Sequence, residues 1–352
     1  MRALIATAGV LGALTAGLIF HRANLADACA GLIGSNGAVN LGRTTTLAAY
    51  HDGVEHYVTA FQFQGGGGEF GSLIPLPGVP TNVERGGDWT LRRLQQEVPA
   101  TVGFASAGGG VGGPASGGAT VLQEVRIDAL DLTVLEGGGP DVADWATEHG
   151  FRLSPDAPEV LDFYASRSPI FLAAVFDSAT AAERGQVIGD GTPVHITIPT
   201  DNPWVPLRIL GLGKQPEDFV FADVFLLSDR APEFLPAVGN GLFLAHYGPA
   251  TDLLLDDLRA DAGMSWMPES AWLTKLQVLS ATRDLRYDLA VDASGEGKPS
   301  LMRAGLIPLP DTGSAPGDRS NDWFPWAIFA GFAAIVIAFL GPWLSLRLRH
   351  GS

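Results

Sequence analysis

The chain has 352 residues, 46% of them hydrophobic, with 38 acidic against 22 basic side chains and a formal net charge of −16. A nucleic-acid binder presents a basic face that displaces counterions, so this balance sets that class aside. A single cysteine allows no intrachain disulfide, so the fold must be held by its core.

At the amino end, Arg2 supplies a short basic start, Ala3 to Phe20 is apolar and uncharged, and Ala26-Asp27-Ala28 offers an A-x-A cleavage site. Residues 1–28 therefore read as a signal peptide, with Ala26 and Ala28 as the small recognised residues and Cys29 as the first mature residue. The alternative is a retained anchor helix. Cys29 also invites a lipid-attachment reading, but Ala and Asp before it fit that motif poorly.

Residues 29–308 carry the folded, extracytoplasmic domain. Arg43 to Tyr50 is rich in Thr and apolar residues, His51-Asp52-Gly53 is a turn signal, and Val54 to Gln64 alternates with period two. This predicts a β-hairpin with Tyr57, Thr59, Phe61 and Phe63 toward the core. Phe70 to Leu76 resumes extended chain, with Pro75 and Pro77 expected to end its pairing. Asp88 is placed to cap a short helix whose Leu91, Leu94 and Val98 share a face, stopped by Pro99. Gly103 to Gly118 is nearly all Gly, Ala, Ser and Pro. It buries too little apolar surface to offset its ordering entropy and reads as a mobile loop and internal boundary.

Beyond it, Thr120 to Glu136 predicts one long or two paired strands. Asp141 to His149 is a helix ended by Gly150, with Val142 and Trp145 inward. A second helix starts near Ser154 or Pro155 and carries Val160, Leu161 and Tyr164. Pro169 to Asp177, Val194 to Pro199, Val205 to Leu212 and Phe219 to Ser228 are apolar, β-rich runs. Thr251 caps an acidic helix to Asp261, and Trp272 to Leu279 is a further strand. The fold class expected is α+β: mostly antiparallel β-sheet with several short helices, plus one C-terminal transmembrane helix.

That helix is the uncharged run from Phe324 to Leu346. At ~1.5 Å per residue it reaches about 34 Å, enough for a hydrocarbon core of ~30 Å. Trp323, Trp326 and Trp343 mark its ends, and the tail of residues 347–352 carries Arg347 and Arg349, as a cytoplasmic flank does. Residues 309–323 form a linker holding Leu309, Pro310, Asp311, Thr312 and Gly313. LPxTG, an apolar span and a basic tail resemble the sorting signal of Gram-positive bacteria, at which a sortase cuts between Thr and Gly and joins the Thr carbonyl to the wall. The spacer Ser314 to Trp323 is longer than that pattern has. Sorting signal and plain single-pass anchor both stay open.

Few motifs carry chemistry. Gly66, Gly68 and Gly71 fit G-x-G-x-x-G, yet Leu73-Ile74-Pro75-Leu76-Pro77 cannot open the helix a pyrophosphate needs, and Ser72 stands where a P-loop has lysine. His51, Glu55 and His56 cluster at the hairpin, but successive strand residues face opposite ways, so Glu55 and His56 cannot share a metal. They read as an exposed turn. His195 and His246 stand isolated in β-like runs, where a distant carboxylate could meet either. Ser265 in Gly263-Met264-Ser265-Trp266-Met267 lacks the second glycine of a nucleophile elbow. Asp252, Asp256, Asp257 and Asp261 could bind Ca²⁺ or act in glycoside cleavage, but a solvated, capped helix face accounts for them. No catalytic residue, cofactor or metal site is assigned.

The chain resembles the bacterial exported proteins grouped as the domain of unknown function DUF2330. The likeness runs through Ala28-Cys29-Ala30-Gly31, Phe70 to Pro80, Val134-Leu135-Glu136, Trp145 with His149-Gly150-Phe151, Pro203-Trp204-Val205-Pro206-Leu207-Arg208, Trp272 to Leu276, and Leu279-Ser280. The family pattern has a second cysteine a few residues after the first; Gly34 stands near that place. The resemblance implies an envelope location and an end anchor, and no reaction. The expected function is an envelope-anchored, non-catalytic binding or interaction module, single-pass in the cell membrane. Its partners would be the membrane, envelope proteins, and a sortase and peptidoglycan if the signal is used. An extracytoplasmic hydrolase and a structural wall protein are the alternatives.

If the pentad is used, wild-type protein stays with the wall after detergent extraction and a muralytic enzyme releases it. Thr312→Ala should move it into the detergent-soluble membrane fraction, at a mass larger by residues 313–352. Equal extraction at equal mass makes Phe324 to Leu346 a permanent anchor.

Overall fold

The computed structural model describes residues 31–34, 37–38, 44–62, 70–100, 118–187, 191–293 and 297–307. The first half of the chain contributes β1 (Gly31–Gly34), β2 (Gly37–Ala38), β3 (Thr44–His51), β4 (Val54–Gln62), β5 (Phe70–Leu76), β6 (Asn82–Arg85) and α1 (Thr90–Glu97). Then follow β7 (Thr120–Ile127), β8 (Leu130–Glu136), α2 (Gly139–Glu148), α3 (Ala157–Ala165), β9 (Ile170–Phe176), α4 (Ser178–Glu183) and β10 (Gly191–Pro199). The remainder is β11 (Trp204–Val205), a 3-10 turn (Arg208–Gly211), β12 (Phe219–Ser228), β13 (Glu233–Leu235), β14 (Leu242–Pro249), α5 (Asp252–Ala260), β15 (Trp272–Ala281) and β16 (Leu289–Asp292).

The strands build a six-stranded sheet in the order β2-β1-β5-β9-β8-β7 and a seven-stranded sheet in the order β14-β15-β12-β3-β4-β10-β6. A small third sheet runs β11-β16-β13. Neighbours are antiparallel except β12 and β3, which run parallel from Ala222↔Thr44 to Ser228↔Tyr50. The fold is thus sheet-rich α+β with short helices. Among the described residues no helix is long and apolar enough to cross a membrane. Ala3 to Phe20 and Phe324 to Leu346 lie outside those residues, as do most of Gly103 to Gly118, Ala26, Ala28, Cys29 and the pentad at 309–313. Residues up to Pro308 form one unit and Leu309–Ser352 a second.

Period two explains the layers. Tyr57 and Phe61 of β4, Val194, Ile196 and Ile198 of β10, and Val224 and Leu226 of β12 pack against Ile74, Leu132, Leu172 and Phe176 of the six-stranded sheet. The two large sheets therefore share one core. On the far side of the six-stranded sheet, Leu73, Leu135 and Phe171 meet Val142 and Trp145 of α2 and Leu161 and Tyr164 of α3. On the far side of the seven-stranded sheet, Leu47, Val58, Phe225 and Leu273 meet Leu94 of α1 and Leu254, Leu255 and Leu258 of α5. The order of layers is helix, sheet, sheet, helix. The aromatic face of the hairpin is the core face, as its alternation predicts, but Val58 and Ala60 on the other face are buried too.

Three local expectations change. Pro75 does not end pairing: Pro75 faces Phe171 and Leu76 faces Ile170. On the other side, among the described residues, β1 pairs with β5 as far as Leu73. Val205 to Leu212 is not a long strand but the two-residue β11 followed by the 3-10 turn. Asp88 does not cap α1. The cap comes from Asp261, just beyond α5: its Oδ1 accepts from Asp88 N at 3.1 Å, and its Oδ2 from Trp89 N at 2.9 Å, Thr90 N at 2.8 Å and Thr90 Oγ1 at 2.8 Å. Arg93 Nε adds a 2.7 Å bond to Asp257 Oδ2. The acidic face of α5 is therefore the seam that binds α1. Gly87 leaves room for it, since a Cβ there would stand 2.3 Å from Asp261 Oδ2.

Asp261→Ala strands several buried N–H donors at once. It should cost about 3 kcal/mol or more in urea unfolding of the detergent-solubilised protein. Asp256→Ala, an exposed neighbour on α5, should stay within about 0.5 kcal/mol of wild type.

Candidate functional site

Ala49 faces His56 across the β3–β4 hairpin, whose turn residues Asp52 and Gly53 have φ of 50° and 77°. Residues two apart on a strand share a face, so His51 and His56 both lie on the outer face of the seven-stranded sheet, while Glu55 points into the core. β10 sets Thr197 against His56, and β6 sets Glu84 against His195. The topology thus lays His51, His56, His195 and Glu84 across four adjacent strands. The exposed turn expected from the sequence is only half of this arrangement. His56 is half-buried under the Trp266 indole, their ring centroids 3.9 Å apart and 7° from parallel, and Glu55 is 0% exposed.

The contacts fix the tautomers. Glu84 Oε1 lies 3.1 Å from His195 Nδ1, and a carboxylate can only accept, so that nitrogen carries the proton. His195 Nε2 is then the acceptor for His56 Nδ1–H at 2.9 Å, with Thr197 Oγ1 at 3.5 Å. The His56 Nε2 lone pair is left at the end of a Glu84–His195–His56 relay. Burial holds both imidazoles neutral by pushing each down to about 4; for His56, the neighbouring His195 and His51 push the same way and Glu84 opposes them. A neutral, oriented imidazole can take a proton or a metal ion. His51 sits at the end of the row, its Nδ1 2.6 Å from Asp229 Oδ1 and its Nε2 3.3 Å from Asp52 Oδ2.

Two buried carboxyls organise the segment from Pro203 to Ile209. Glu55 Oε2 takes a long 3.4 Å contact from Trp204 N. Asp288 Oδ1 accepts from Leu207 N at 2.7 Å, Arg208 N at 3.0 Å and the Tyr164 hydroxyl at 2.7 Å, and that hydroxyl accepts from Ile209 N at 2.8 Å. These bonds turn the chain into the 3-10 geometry that hydrophobic pattern alone read as a strand. Burial raises Glu55 to about 8, against a lowering by the Trp204 N–H. Burial likewise raises Asp288 to about 6, although its N–H and O–H donors and Arg167 oppose it.

The pinned turn forms one wall of a cleft of about 390 Å³. Asp156 and Glu159 at the start of α3, Arg208 and Lys214, and Arg283 and Arg286 on the loop after β15 bring four cations against two carboxylates. Arg208 pairs with Glu159 and lies 4.1 Å over the Phe163 ring, which Arg167 also covers at 3.8 Å. Arg283 pairs with Glu217. Burial lowers the Lys214 ammonium, and Asp218 partly restores it.

The model of a family described as an uncharacterised protein conserved in bacteria, DUF2330, matches residues 25–228. The chain belongs to this family. No curated protein matches it. Among solved structures, a mutated baculovirus P35 after caspase cleavage aligns at TM-score 0.31 and 8% identity, covering 71% of this chain and 95% of that one. The caspase-8/P35 complex aligns at TM-score 0.33 and 9% identity, covering 72% and 91%. Likeness at that level carries no argument.

The DUF2330 match takes in His51, Glu55, His56, Glu84, His195 and the whole Pro203–Arg208 segment, while Asp229, Trp266, Arg283, Arg286 and Asp288 follow it. Of the motifs weighed in the sequence, Gly71 is a residue of β5, where a Cβ would stand 2.8 Å from Phe151 Cζ; it gives two elements room, and no helix follows it. Ser265 is exposed between α5 and β15, the reverse of the strand-to-helix order of an elbow. His246 sits at the bulge of β14. His195 does meet a carboxylate, and its second nitrogen faces His56 and Thr197. Glu84, Trp266 and Asp288 had no local signal in the sequence, because each acts on a residue more than 80 positions away or on a ring across the sheet.

The pH dependence isolates Glu55. A carboxyl whose folded value is raised binds its proton more tightly folded than unfolded, so stability falls as pH rises from its ordinary value to the folded one. For Asp288 that window runs from 3.8 to about 6, and for Glu55 from 4.5 to about 8. His56 and His195 act oppositely, losing stability as pH falls from 6.5 to about 4. Of these four groups, Glu55 is the one whose window covers pH 6.5 to 8, with a slope of about 1.4 kcal/mol per pH unit. Glu55→Gln, which copies the protonated shape, should flatten that slope in denaturation curves; an unchanged slope would assign it elsewhere.

Proposed function

We propose that this protein is a membrane-tethered module of the bacterial envelope, its folded part outside the cytoplasm, that binds a phosphate- or carboxylate-bearing envelope polymer in the cleft beside the 3-10 turn. The cleft carries the reading. Its volume falls in the range of ligand sites, and it gathers Arg208, Lys214, Arg283 and Arg286 on a chain whose net charge is −16. On so acidic a surface, long-range attraction favours cations everywhere except where the basic side chains converge. Planar guanidinium groups on two walls also match phosphate and carboxylate geometry.

Export and tethering rest on the sequence: the apolar run Ala3 to Phe20 before Ala26-Asp27-Ala28, and Phe324 to Leu346 before Arg347 and Arg349. A sortase acting at Leu309-Pro310-Asp311-Thr312-Gly313 would transfer the same module from membrane to peptidoglycan.

Poly(glycerol phosphate) chains are a suitable probe for the full-length protein in detergent. Binding should weaken as salt rises, and the pair Arg283→Glu and Arg286→Glu should weaken it tenfold or more with far-ultraviolet dichroism unchanged. Equal binding by that variant rejects the cleft as the site.

A further inference from the structure

We infer that the β3–β4 turn and the end of β12 form a site for a divalent transition-metal ion, held by His51, Asp52 and Asp229. One ligand atom from each of the three residues lies within 4.8 Å of the other two. Two ligands each about 2.1 Å from a tetrahedral ion stand about 3.4 Å apart. The His51 Nδ1–Asp229 Oδ1 separation is 2.6 Å and the His51 Nε2–Asp52 Oδ2 separation is 3.3 Å. An ion replacing the proton between His51 Nδ1 and Asp229 has to open that contact by less than an ångström. The Asp52 side chain, 85% exposed on its turn, can swing to the same nitrogen.

Charge supports the assignment. Several carboxylates on this surface are neutralised by arginine: Asp128 by Arg85 and Arg184, Asp177 by Arg126, Asp257 by Arg93. Among the described residues, Asp52 and Asp229 have no lysine or arginine partner and converge on one imidazole.

The backbone brings the three residues together before any ion arrives. β3 and β12 are the parallel pair, matched through Tyr50 and Ser228; His51 is the next and last residue of β3, and Asp229 is the first residue beyond the end of β12. Asp52 is held by a turn that needs its positive φ. One nitrogen and two carboxylate oxygens suit Zn²⁺, Co²⁺ or Mn²⁺, and the exposed side of the turn leaves coordination positions for water. This site is separate from the cleft and stands without it.

Co²⁺ is the probe, because its visible absorption reports coordination. The full-length protein in detergent, first stripped with a chelator, should bind one equivalent at pH 7, and Zn²⁺ should displace it. His51→Ala and Asp229→Asn should each weaken binding tenfold or more, with dichroism unchanged; His246→Ala should not. Failure to bind Co²⁺, or binding that survives in both His51→Ala and Asp229→Asn, overturns the assignment. Loss in His56→Gln with retention in His51→Ala overturns it as well, and places the ion on the Glu84–His195–His56 relay.

Discussion

The seven-stranded sheet is covered on both faces, by the second sheet on one side and by α1 and α5 on the other, so a charge on its central strands needs a partner inside the protein. Lys275 of β15 shows the consequence. It is 0% exposed, lies 3.3 Å from the Asp223 carboxylate of β12, donates to Val98 O at 2.6 Å, and stands 4.9 Å from the centre of the Phe225 ring. Gln277 Nε2 donates to the same Asp223 oxygen at 3.1 Å. Removing one member of such a pair leaves a buried charge, a heavier loss than the pair's own net worth. The ladder between β12 and β15 is therefore fixed in register by charge as well as by apolar packing.

The same constraint recurs wherever irregular chain is buried. The N–H groups at the start of α1 and along Leu207 to Ile209 have no carbonyl within reach of a ladder, and an orphaned buried N–H is costly. In each place a carboxyl from a distant part of the chain accepts them: Asp261 for α1, Asp288 for the 3-10 turn. Tyr164 extends the second network, accepting from Ile209 N while donating to Asp288. A carboxyl serves well because one oxygen accepts several donors. It also explains why Glu55, with a single long donor contact, keeps its proton to about 8 while Asp288, with three, keeps its own only to about 6.

These long-range carboxyls mark where the sequence stops being readable. The β3–β4 hairpin, the β7–β8 pair, α2, α3 and α5 follow from local alternation, helical spacing and punctuation, and the structure has them within a few residues. β6, β13, β14 and β16 are short or irregular and left no such pattern. The helix caps were legible only when local: Thr251 accepts from Leu254 N at 3.2 Å as its position predicts, whereas the cap of α1 lies more than 160 residues away. Likewise the histidines were visible one by one, but their row was not. It depends on β10 pairing with both β4 and β6, a crossover that no window of sequence contains.

The pairing also says how far the folding unit must extend. The match to DUF2330 ends at residue 228, at the last residue of β12. β12 pairs there with β3 on one edge, and on the other with all ten residues of β15, from Phe219↔Ala281 to Ser228↔Trp272. A chain stopped at 228 would leave that whole edge of the seven-stranded sheet unpaired, and would strip Leu273 and the buried Leu254, Leu255 and Leu258 of α5 from the outer core. It would also lose Asp261 from the start of α1 and Asp288 from the 3-10 turn. The segment that the family model recognises holds the middle of the sheet, and the residues that satisfy its buried polar groups come after it. Residues 229–293 therefore belong to the same folding unit as the matched segment.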